Sequence, residues 1–471
     1  LHYPLRRQRQ MCIRDRDTIL IYGLDDRPSF AKTMLAAFAH LFAIVVSIMT
    51  APLIIARGIG LDSEMTAYII NASLVVSGIA TFIQVRRFGP IGSGLLSVQG
   101  TSFSYSGAMI AAAALLQTSS VTDEQVLGTL LGTAVVGAAL VMILGTVIEY
   151  LQRVITLRVA GIAIILLGLT LVGTSVKNVV NIEGGLDRFA QAGLVIVLIL
   201  ATTLSGIPWL RLLGVSISLL VGMLCAWFWG HQYAAPEISM GLMLLRPMPF
   251  ELGFDFVVLL LLMPVFLVTM TESVGDLTAT ASLSRQPISG PPYWLRIKGG
   301  VIGDGFNSII AAFFGSFPNT TFSQNNGIIR LTGVASRYVG YFVAAMLIAL
   351  GTVPAIGQLF QIIPGGVLYG ATALMFFLIT VTGWRILQGE EGAMSMLLVC
   401  SLISVALYFL PDVASGYGIY LAAELEMILK FPVATGALCA IVWECLLIFR
   451  FRNVHDKAVN NLRSRKIHEV P

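Results

Sequence analysis

The sequence carries little charge. Asp, Glu, Lys and Arg make up 11% of its 471 residues, and 56% are hydrophobic, whereas about 25% charged residues is usual for soluble domains. This composition excludes an ordinary soluble protein and indicates a chain that crosses a membrane many times. The net charge of +4 fits basic loops at the membrane surface, so we predict no nucleic-acid partner.

Cysteine is also scarce, and its pattern excludes several kinds of site. The five residues show no CxxC pair and no metal-ligand spacing: Cys12, Cys225, Cys400, Cys439 and Cys445. We therefore predict no disulfide and no metal site, because Cys in an apolar run is usually a small hydrophobe. The sequence also lacks a Ser/His/Asp set and a phosphate-binding loop. We predict neither an enzyme nor a bound cofactor.

Long apolar runs are abundant. A spanning helix needs roughly 20 mostly apolar residues, and the runs are continuous rather than alternating, which favours helices over a barrel. We predict an all-α polytopic membrane protein with about fourteen spans. The segments lie near 31–55, 66–85, 99–118, 126–149, 155–175, 190–208, 212–230, 256–282, 298–315, 320–334, 337–355, 365–384, 392–410 and 420–449.

The distribution of basic residues supports an even number of spans. If both termini are cytoplasmic, most of the 29 Lys and Arg residues fall in cytoplasmic segments, as the positive-inside rule requires. The exceptions are Arg57, Lys177, Arg188, Arg246 and Lys430. We therefore predict a multi-pass membrane protein with an even number of spans and both termini in the cytoplasm.

The predicted spans fall into two halves. Residues 1–30 form a basic, polar N-terminal tail without the apolar stretch of a signal peptide, and we assign its MCIRDR run no function. Residues 31–230 are the first set of seven spans, 231–255 a linking loop and 256–450 the second set. Residues 451–471 are a basic tail.

Two polar stretches interrupt the apolar sequence in the same way. They are GSGLLSVQGTSFSYSG (92–107) and GSFPNTTFSQNNGIIRLTG (315–333), in the third and tenth segments. Interrupted spans at matching places in two halves are typical of inverted repeats with a binding site near the midplane. Because irregular backbone is tolerated at that depth only when it lines a cavity or is buried, we predict short extended breaks that meet a polar solute.

Three carboxylates and one imidazole lie in apolar surroundings. Glu272 and Asp276 share one face of a helix at i, i+4, and Asp304 lies in GGVIGDGFNS. A charge at bilayer depth costs at least ~2.5–3.5 kcal/mol, so such acids usually serve a substrate or an ion. Two alternatives stay open. One is that Asp304 bonds only to backbone between Gly-rich helices. The other is that His40 is a packing residue rather than a ligand.

Several motifs resemble the nucleobase–ascorbate transporter family. The signature-like stretch is QNNGIIRLTGVASRYVG at 324–340. Similar stretches are ESVGDLTAT at 272–280, QPISG at 286–290, KGG at 298–300 and GSGLLSVQGTSF at 92–103. The resemblance covers roughly residues 18–450, and within the family the sequence most resembles bacterial xanthine permeases, with urate permeases close behind.

The resemblance implies a fold and a mechanism. The fold would have fourteen spans in two inverted seven-span repeats, divided into a core and a gate domain. The protein would be a homodimer in the lipid bilayer of the bacterial cytoplasmic (inner) membrane. It would import its substrate together with protons, through an elevator-like movement of the core.

The resemblance also implies roles for individual residues. Glu272 and Gln324 would bond a purine from two sides, and Phe103 would stack on the base with Ser102 beside it. Asn325 would support the site. The residues implied in the polar network for proton coupling are Asp304, Asp276, His40 and Asn326.

Gln324 bears on the substrate. Members of the family with Gln at this position tend to carry xanthine or urate, those with Glu uracil, and those with Pro ascorbate. An amide offers a donor and an acceptor together, which suits the edge of an oxopurine. Two positions depart from part of the family. The position of Arg330 is usually uncharged in the permeases, and the position of Asp276 is His in some uracil carriers. These departures bear on the substrate range and on the proton path.

Three other interpretations are kept. One is a carrier of uracil or another nucleobase. Another is an anion exchanger or channel of the same fold, which the acids disfavour because a carboxylate repels a small anion. The third is a membrane receptor or structural protein, which would not need acids at bilayer depth.

Overall fold

The described part of the protein is predominantly helical. The structure is a computed structural model, and it describes residues 20–117, 121–151, 154–182, 186–230 and 241–447. The predictions for residues 1–19 and 451–471, and for 231–240 of the linking loop, lie outside the described residues.

The helices are separated by short connections, and two of the connections contain strands. The helices are α1 (Phe30–Ile59), α2 (Ser63–Arg86), α3 (Tyr105–Leu116), α4 (Asp123–Thr146), α5 (Ile148–Leu151), α6 (Leu157–Asn181), α7 (Asp187–Leu204), α8 (Pro208–Phe228), α9 (Phe256–Leu283), α10 (Pro291–Phe313), α11 (Gln324–Thr332), α12 (Arg337–Gly351), α13 (Pro354–Phe360), α14 (Gly365–Leu387), α15 (Ala393–Gly416), α16 (Ala423–Leu429) and α17 (Pro432–Leu447). The strands are β1 (Gln99–Thr101) and β2 (Asn319–Thr321).

The protein is a multi-pass membrane protein. Within the described residues, nine helices are long and apolar enough to cross a membrane, or ten if α12 and α13, bent by 78°, form one span. Each of the fourteen predicted segments overlaps a helix. Several of these helices, such as α3 and α11, are short, so the count of fourteen spans stays a prediction. The short extended breaks in the third and tenth segments are confirmed as β1 and β2.

The chain forms two compact units. The first comprises Leu1–Glu149 with Leu169–Leu378, and the second Tyr150–Gly168 with Ile379–Pro471. All residues that the sequence nominates for the site belong to the first unit.

Local chemistry explains where the helices begin. Asp62 caps α2 through the backbone N–H of Met65, and Thr122 and Gln125 form a capping box at α4. The helix α10 starts at Pro291, seven residues before the predicted segment. The prediction placed PPYWLR in a loop, but proline fits the first turn of a helix because that N–H needs no partner.

Glycines bring α10 close to the chain that follows α2. The N–H of Gly92 donates to the carbonyl of Gly299 over 2.7 Å. A Cβ on Gly299 would lie 2.4 Å from the Gly92 oxygen, and one on Gly303 would lie 2.7 Å from Oε1 of Gln84. This spacing explains why Gly recurs in GGVIGDG, since any side chain would push the two segments apart.

The residues just before α1 lie along the connection between α11 and α12. Tyr22 accepts from the N–H of Ala335 at 2.9 Å. Asp25 forms an ion pair with Arg337 at 2.5 Å. Residues 21–25 of the predicted N-terminal tail are therefore bonded to the segment that follows the polar break in the second half.

The second unit has its own apolar core and a buried ion pair. Its core includes Ile162, Leu387 and Cys400. Glu444 is only 2% exposed and lies 2.7 Å from Nε of Arg158, and the hydroxyl of Thr156 donates to its carboxylate. Charge pairing and hydrogen bonds together satisfy this acid inside an apolar helix.

Candidate functional site

The two polar breaks bond to each other. The strands β1 and β2 pair antiparallel, with Gly100 opposite Thr320. The pairing continues on both sides, because the N–H of Ser102 donates to Pro318 and the N–H of Phe322 donates to Val98, each over 3.0 Å. The extended backbone is thus hydrogen-bonded internally, as the interior of a membrane requires.

Gly100→Ala is expected to lower the free energy of unfolding by about 1–3 kcal/mol, the usual cost of overpacking. A Cβ at this position would lie 2.7 Å from Cζ of Phe322 and 2.8 Å from Cγ1 of Ile48. Thermal unfolding of the purified protein measures the change. The matched control is Gly173→Ala in α6, where a Cβ meets nothing within 4 Å. Equal unfolding midpoints for the two variants would contradict the crowding.

Asp304 is the centre of a polar cluster that holds the breaks in place. Its carboxylate is buried, with 6% exposure for the residue. It accepts from Nε2 of Gln84 over 2.8 Å, from Oγ of Ser273, and from Oγ1 of Thr321 over 3.4 Å. Gln99 in turn donates to Thr321 over 2.9 Å. The carboxylate therefore binds side chains from α2, α9 and β2, rather than only backbone.

The helix α9 contacts the starts of both short helices at Glu272 and Asp276. The hydroxyl of Ser104, the residue before α3, donates to Oε2 of Glu272 over 3.3 Å. The backbone carbonyl of Asp276 accepts from Nδ2 of Asn326, in the first turn of α11, over 3.3 Å. Glu272 and Asp276 are both partly exposed. The face of α9 that carries them thus contacts both interrupted segments.

The first turn of α11 carries the amides of the signature-like stretch. Asn325 is fully buried and donates through Nδ2 to the carbonyl of Leu96 over 2.6 Å. Asn326 accepts from the hydroxyl of Thr280 over 2.6 Å. Gln324, the first residue of the helix, is partly exposed, and its side chain has no hydrogen-bond partner among the described residues. Two amides therefore fix the helix, while the third is available.

Phe103 and Ser102 lie where β1 leads into α3. The Phe103 ring meets the ring of Phe376 edge to face, with centroids 5.9 Å apart and planes at 76°. Ser102 is 2% exposed, and its hydroxyl accepts from the N–H of Ser104 over 3.3 Å. Ser102 therefore shapes the turn, and Phe103 is partly exposed beside it.

His40 is fully buried in α1 beside Asn325. In the part of the chain that the structure describes, neither ring nitrogen has a hydrogen-bond partner of normal geometry, and Oδ1 of Asn325 is also unpaired. This position favours an orienting role for His40 at the start of α11 over direct contact with a ligand.

The nine nominated residues all lie on α1, α9, α10 or the two breaks. Side-chain or backbone contacts connect most of them, whereas Gln324 and Phe103 belong to the site only through their place in the two breaks. The sequence analysis did not single out the partners Gln84, Gln99, Ser104, Ser273 and Thr321. A possible signal was present for one of them, since Gln84 is an amide inside the apolar run TFIQV. Within the described residues, no group of three or more His, Cys, Asp or Glu side chains could hold a metal ion.

Comparisons with known proteins agree with the fold and identify the family. Xanthine permease XanP of Escherichia coli (strain K12) is 37% identical over 441 residues, 90% of this chain and 93% of that protein. Xanthine permease XanQ of the same strain is also 37% identical, over 91% of this chain and 94% of that protein. Among solved structures, the transmembrane domain of a cyanobacterium bicarbonate transporter, BicA, has the same fold, with a TM-score of 0.51 and 14% identity. The match covers 88% of this chain and 98% of the BicA domain.

The match to a family model identifies the group to which the chain belongs. The model Xan_ur_permease, described as a permease family, matches residues 31–410, which is most of the chain. With relatives at 37% identity over nine-tenths of the sequence, the chain is a member of this permease family, the nucleobase–ascorbate transporters.

Proposed function

We propose that this permease imports an oxopurine, xanthine or urate, across the bacterial cytoplasmic membrane together with protons. The observation that carries the proposal is the contact of one face of α9 with both polar breaks, from Ser104 to the carboxylate of Glu272 and from Asn326 to the backbone carbonyl of Asp276. A solute between the short helices would meet a carboxylate on one side and the unpaired amide of Gln324 on the other. The names of XanP and XanQ support the choice of xanthine.

The hydrogen-bonding groups suit a flat, amide-like base. An oxopurine presents alternating carbonyl acceptors and N–H donors on its edges. The Glu272 carboxylate accepts from N–H groups, whereas the Gln324 amide both donates and accepts. The partly exposed Phe103 ring supplies an apolar face against which an aromatic base can stack.

Proton coupling is supported by the acids themselves. Glu272, Asp276 and Asp304 lie in helices α9 and α10 within one unit, and each charge at bilayer depth costs at least ~2.5–3.5 kcal/mol. A proton neutralises such a charge, so proton uptake and release can accompany substrate movement. We further propose a homodimer in which the core moves like an elevator, with both termini of the chain in the cytoplasm.

The test is uptake of radiolabelled xanthine by cells that express the chain and lack xanthine permeases of their own. We expect saturable uptake that a protonophore abolishes and that excess xanthine or urate inhibits more than excess uracil. Absence of saturable uptake, with the protein present in the membrane, would disprove xanthine transport. Uptake that the protonophore leaves unchanged would disprove the coupling alone. Saturable uptake of labelled bicarbonate, without uptake of xanthine, would instead favour the anion-exchanger alternative.

Phe103→Ala is expected to weaken purine affinity by roughly 2- to 12-fold, since an aromatic pair contributes about 0.5–1.5 kcal/mol beyond burial. Phe103→Tyr keeps the ring and should largely preserve affinity. Competition binding in isolated membranes gives the affinities. The control is Phe313→Ala, at the end of α10, where the ring is 39% exposed. Unchanged affinity in Phe103→Ala would remove this ring from the site.

A further inference from the structure

A small cavity lies behind the polar cluster, among α3, α4, α9, α10 and β2. Its polar wall includes Tyr105, Thr269, Asp304, Asn319 and Thr320. The volume in which the centre of a water molecule can lie is about 10 Å³. This is the lower limit of what one water molecule needs. Glu272, Gln324 and Phe103 do not line it, so it is distinct from the candidate substrate site.

The side chain of Asn319 is the notable group in this wall. The residue is 3% exposed, and neither Nδ2 nor Oδ1 has a hydrogen-bond partner among the described residues. Its backbone N–H is satisfied by Ser308, so the strand itself is in place. A buried amide with no partner costs about 1–3 kcal/mol, and a group of this kind needs a partner that the protein does not supply.

The hydroxyl groups around the cavity already donate their protons to other groups of the protein. Thr269 donates to the carbonyl of Phe266, so the Tyr105 hydroxyl must donate to Thr269. Ser273 donates to Asp304, so the Thr320 hydroxyl must donate to Ser273. A hydroxyl has one proton and two lone pairs. Tyr105 and Thr320 therefore face the cavity as acceptors.

We propose that this cavity holds one ordered water molecule, which accepts from Nδ2 of Asn319 and donates to the free oxygen acceptors of the wall. Water fits because the wall presents both a donor and acceptors. A sodium ion fits less well, because hard cations are held by several oxygen ligands, usually with carboxylates among them. The single carboxylate, Asp304, already accepts from Gln84, Ser273 and Thr321.

The water joins two parts of the first unit. On one side it contacts Thr320 and, through Ser273, the Asp304 cluster. On the other it reaches Tyr105 and Thr269, which connect α3 to α9. The site is a structural one, and it does not depend on which solute the protein carries.

Asn319→Leu should change the midpoint of thermal unfolding in opposite directions, depending on whether the cavity holds water. If the cavity is dry, the change removes an unsatisfied amide and is neutral or stabilising. If water is present, the change removes its donor, and we expect the midpoint of thermal unfolding to fall by about 1–3 °C. Val141→Leu, which fills the cavity from its apolar wall, should lower the midpoint as well. The matched control is Val136→Leu on the same helix, at a position 36% exposed.

A high-resolution experimental map provides the direct measurement. We expect a density peak within hydrogen-bond distance of the Asn319 amide in the unaltered protein, and its loss in Val141→Leu. An unchanged or raised midpoint for Asn319→Leu would overturn the proposal. So would a map in which the cavity has no peak. Neither result would bear on xanthine transport, which the uptake assay tests separately.

Discussion

Glu272→Gln is expected to abolish xanthine uptake while the protein reaches the membrane in normal amounts. The carboxylate accepts from Ser104 at the start of α3, and the residue is partly exposed. Gln has nearly the same shape but replaces one acceptor oxygen with an NH2 donor, and it cannot exchange a proton. Loss of a hydrogen bond to a charged group alone costs about 1.5–3 kcal/mol, or roughly 10- to 150-fold in affinity, before any effect on coupling.

Initial uptake rates and surface abundance, measured on the same cells, test this expectation. Glu149→Gln is a suitable control, because Glu149 is 41% exposed and pairs with Lys298 at the end of its segment. It should leave uptake unchanged. Wild-type rates in Glu272→Gln would refute both its substrate role and its proton role.

Gln324→Glu should change which base is carried, rather than only slow transport. The amide of Gln324 has a donor and an acceptor, whereas an ionised Glu is acceptor-only. A buried ligand carbonyl that loses its donor costs roughly 1–3 kcal/mol, which corresponds to about five- to 150-fold in affinity. Xanthine and urate should therefore bind more weakly by that factor, and analogues altered at the contacted edge should lose less.

A competition series of purine analogues against both proteins, at matched expression, measures the effect. Asn326→Asp is the matched control, because Asn326 bonds Thr280 and the Asp276 carbonyl rather than facing the site. It should shift all analogues by one common factor. If Gln324→Glu also shifts them uniformly, Gln324 does not read the base.

Local composition predicted the breaks but not what holds them. The run SQNNG and the run QGTSF stand out because polar residues are rare in this chain, and both proved to be strand–helix junctions. The antiparallel pairing of β1 with β2 joins residues more than two hundred positions apart. No local pattern encodes that register, since it follows from how α2, α9 and α10 pack.

The partners of Asp304 illustrate the same limit. Its burial could be expected from GGVIGDG, yet Gln84 and Thr321 come from distant segments and carry no periodic signal that marks them as its ligands. The position of His40 beside Asn325 is likewise a product of tertiary packing. Sequence similarity nominated Asn325 as a support of the substrate site and His40 as part of the polar network, without indicating the contact between them.

The paired strands have a further consequence. An antiparallel pair has a local two-fold axis, which here passes between Gly100 and Thr320. This rotation relates the backbones of β1 and β2 to each other, but it does not relate their side chains. Gly100 is hemmed in by Phe322 and Ile48, whereas the Thr320 hydroxyl meets Ser273. The residues of β1 and β2 can therefore not be exchanged for one another. A chimaera with the β1 residues in place of β2 would put Gly opposite Gly at the axis and leave Ser273 without this hydroxyl partner.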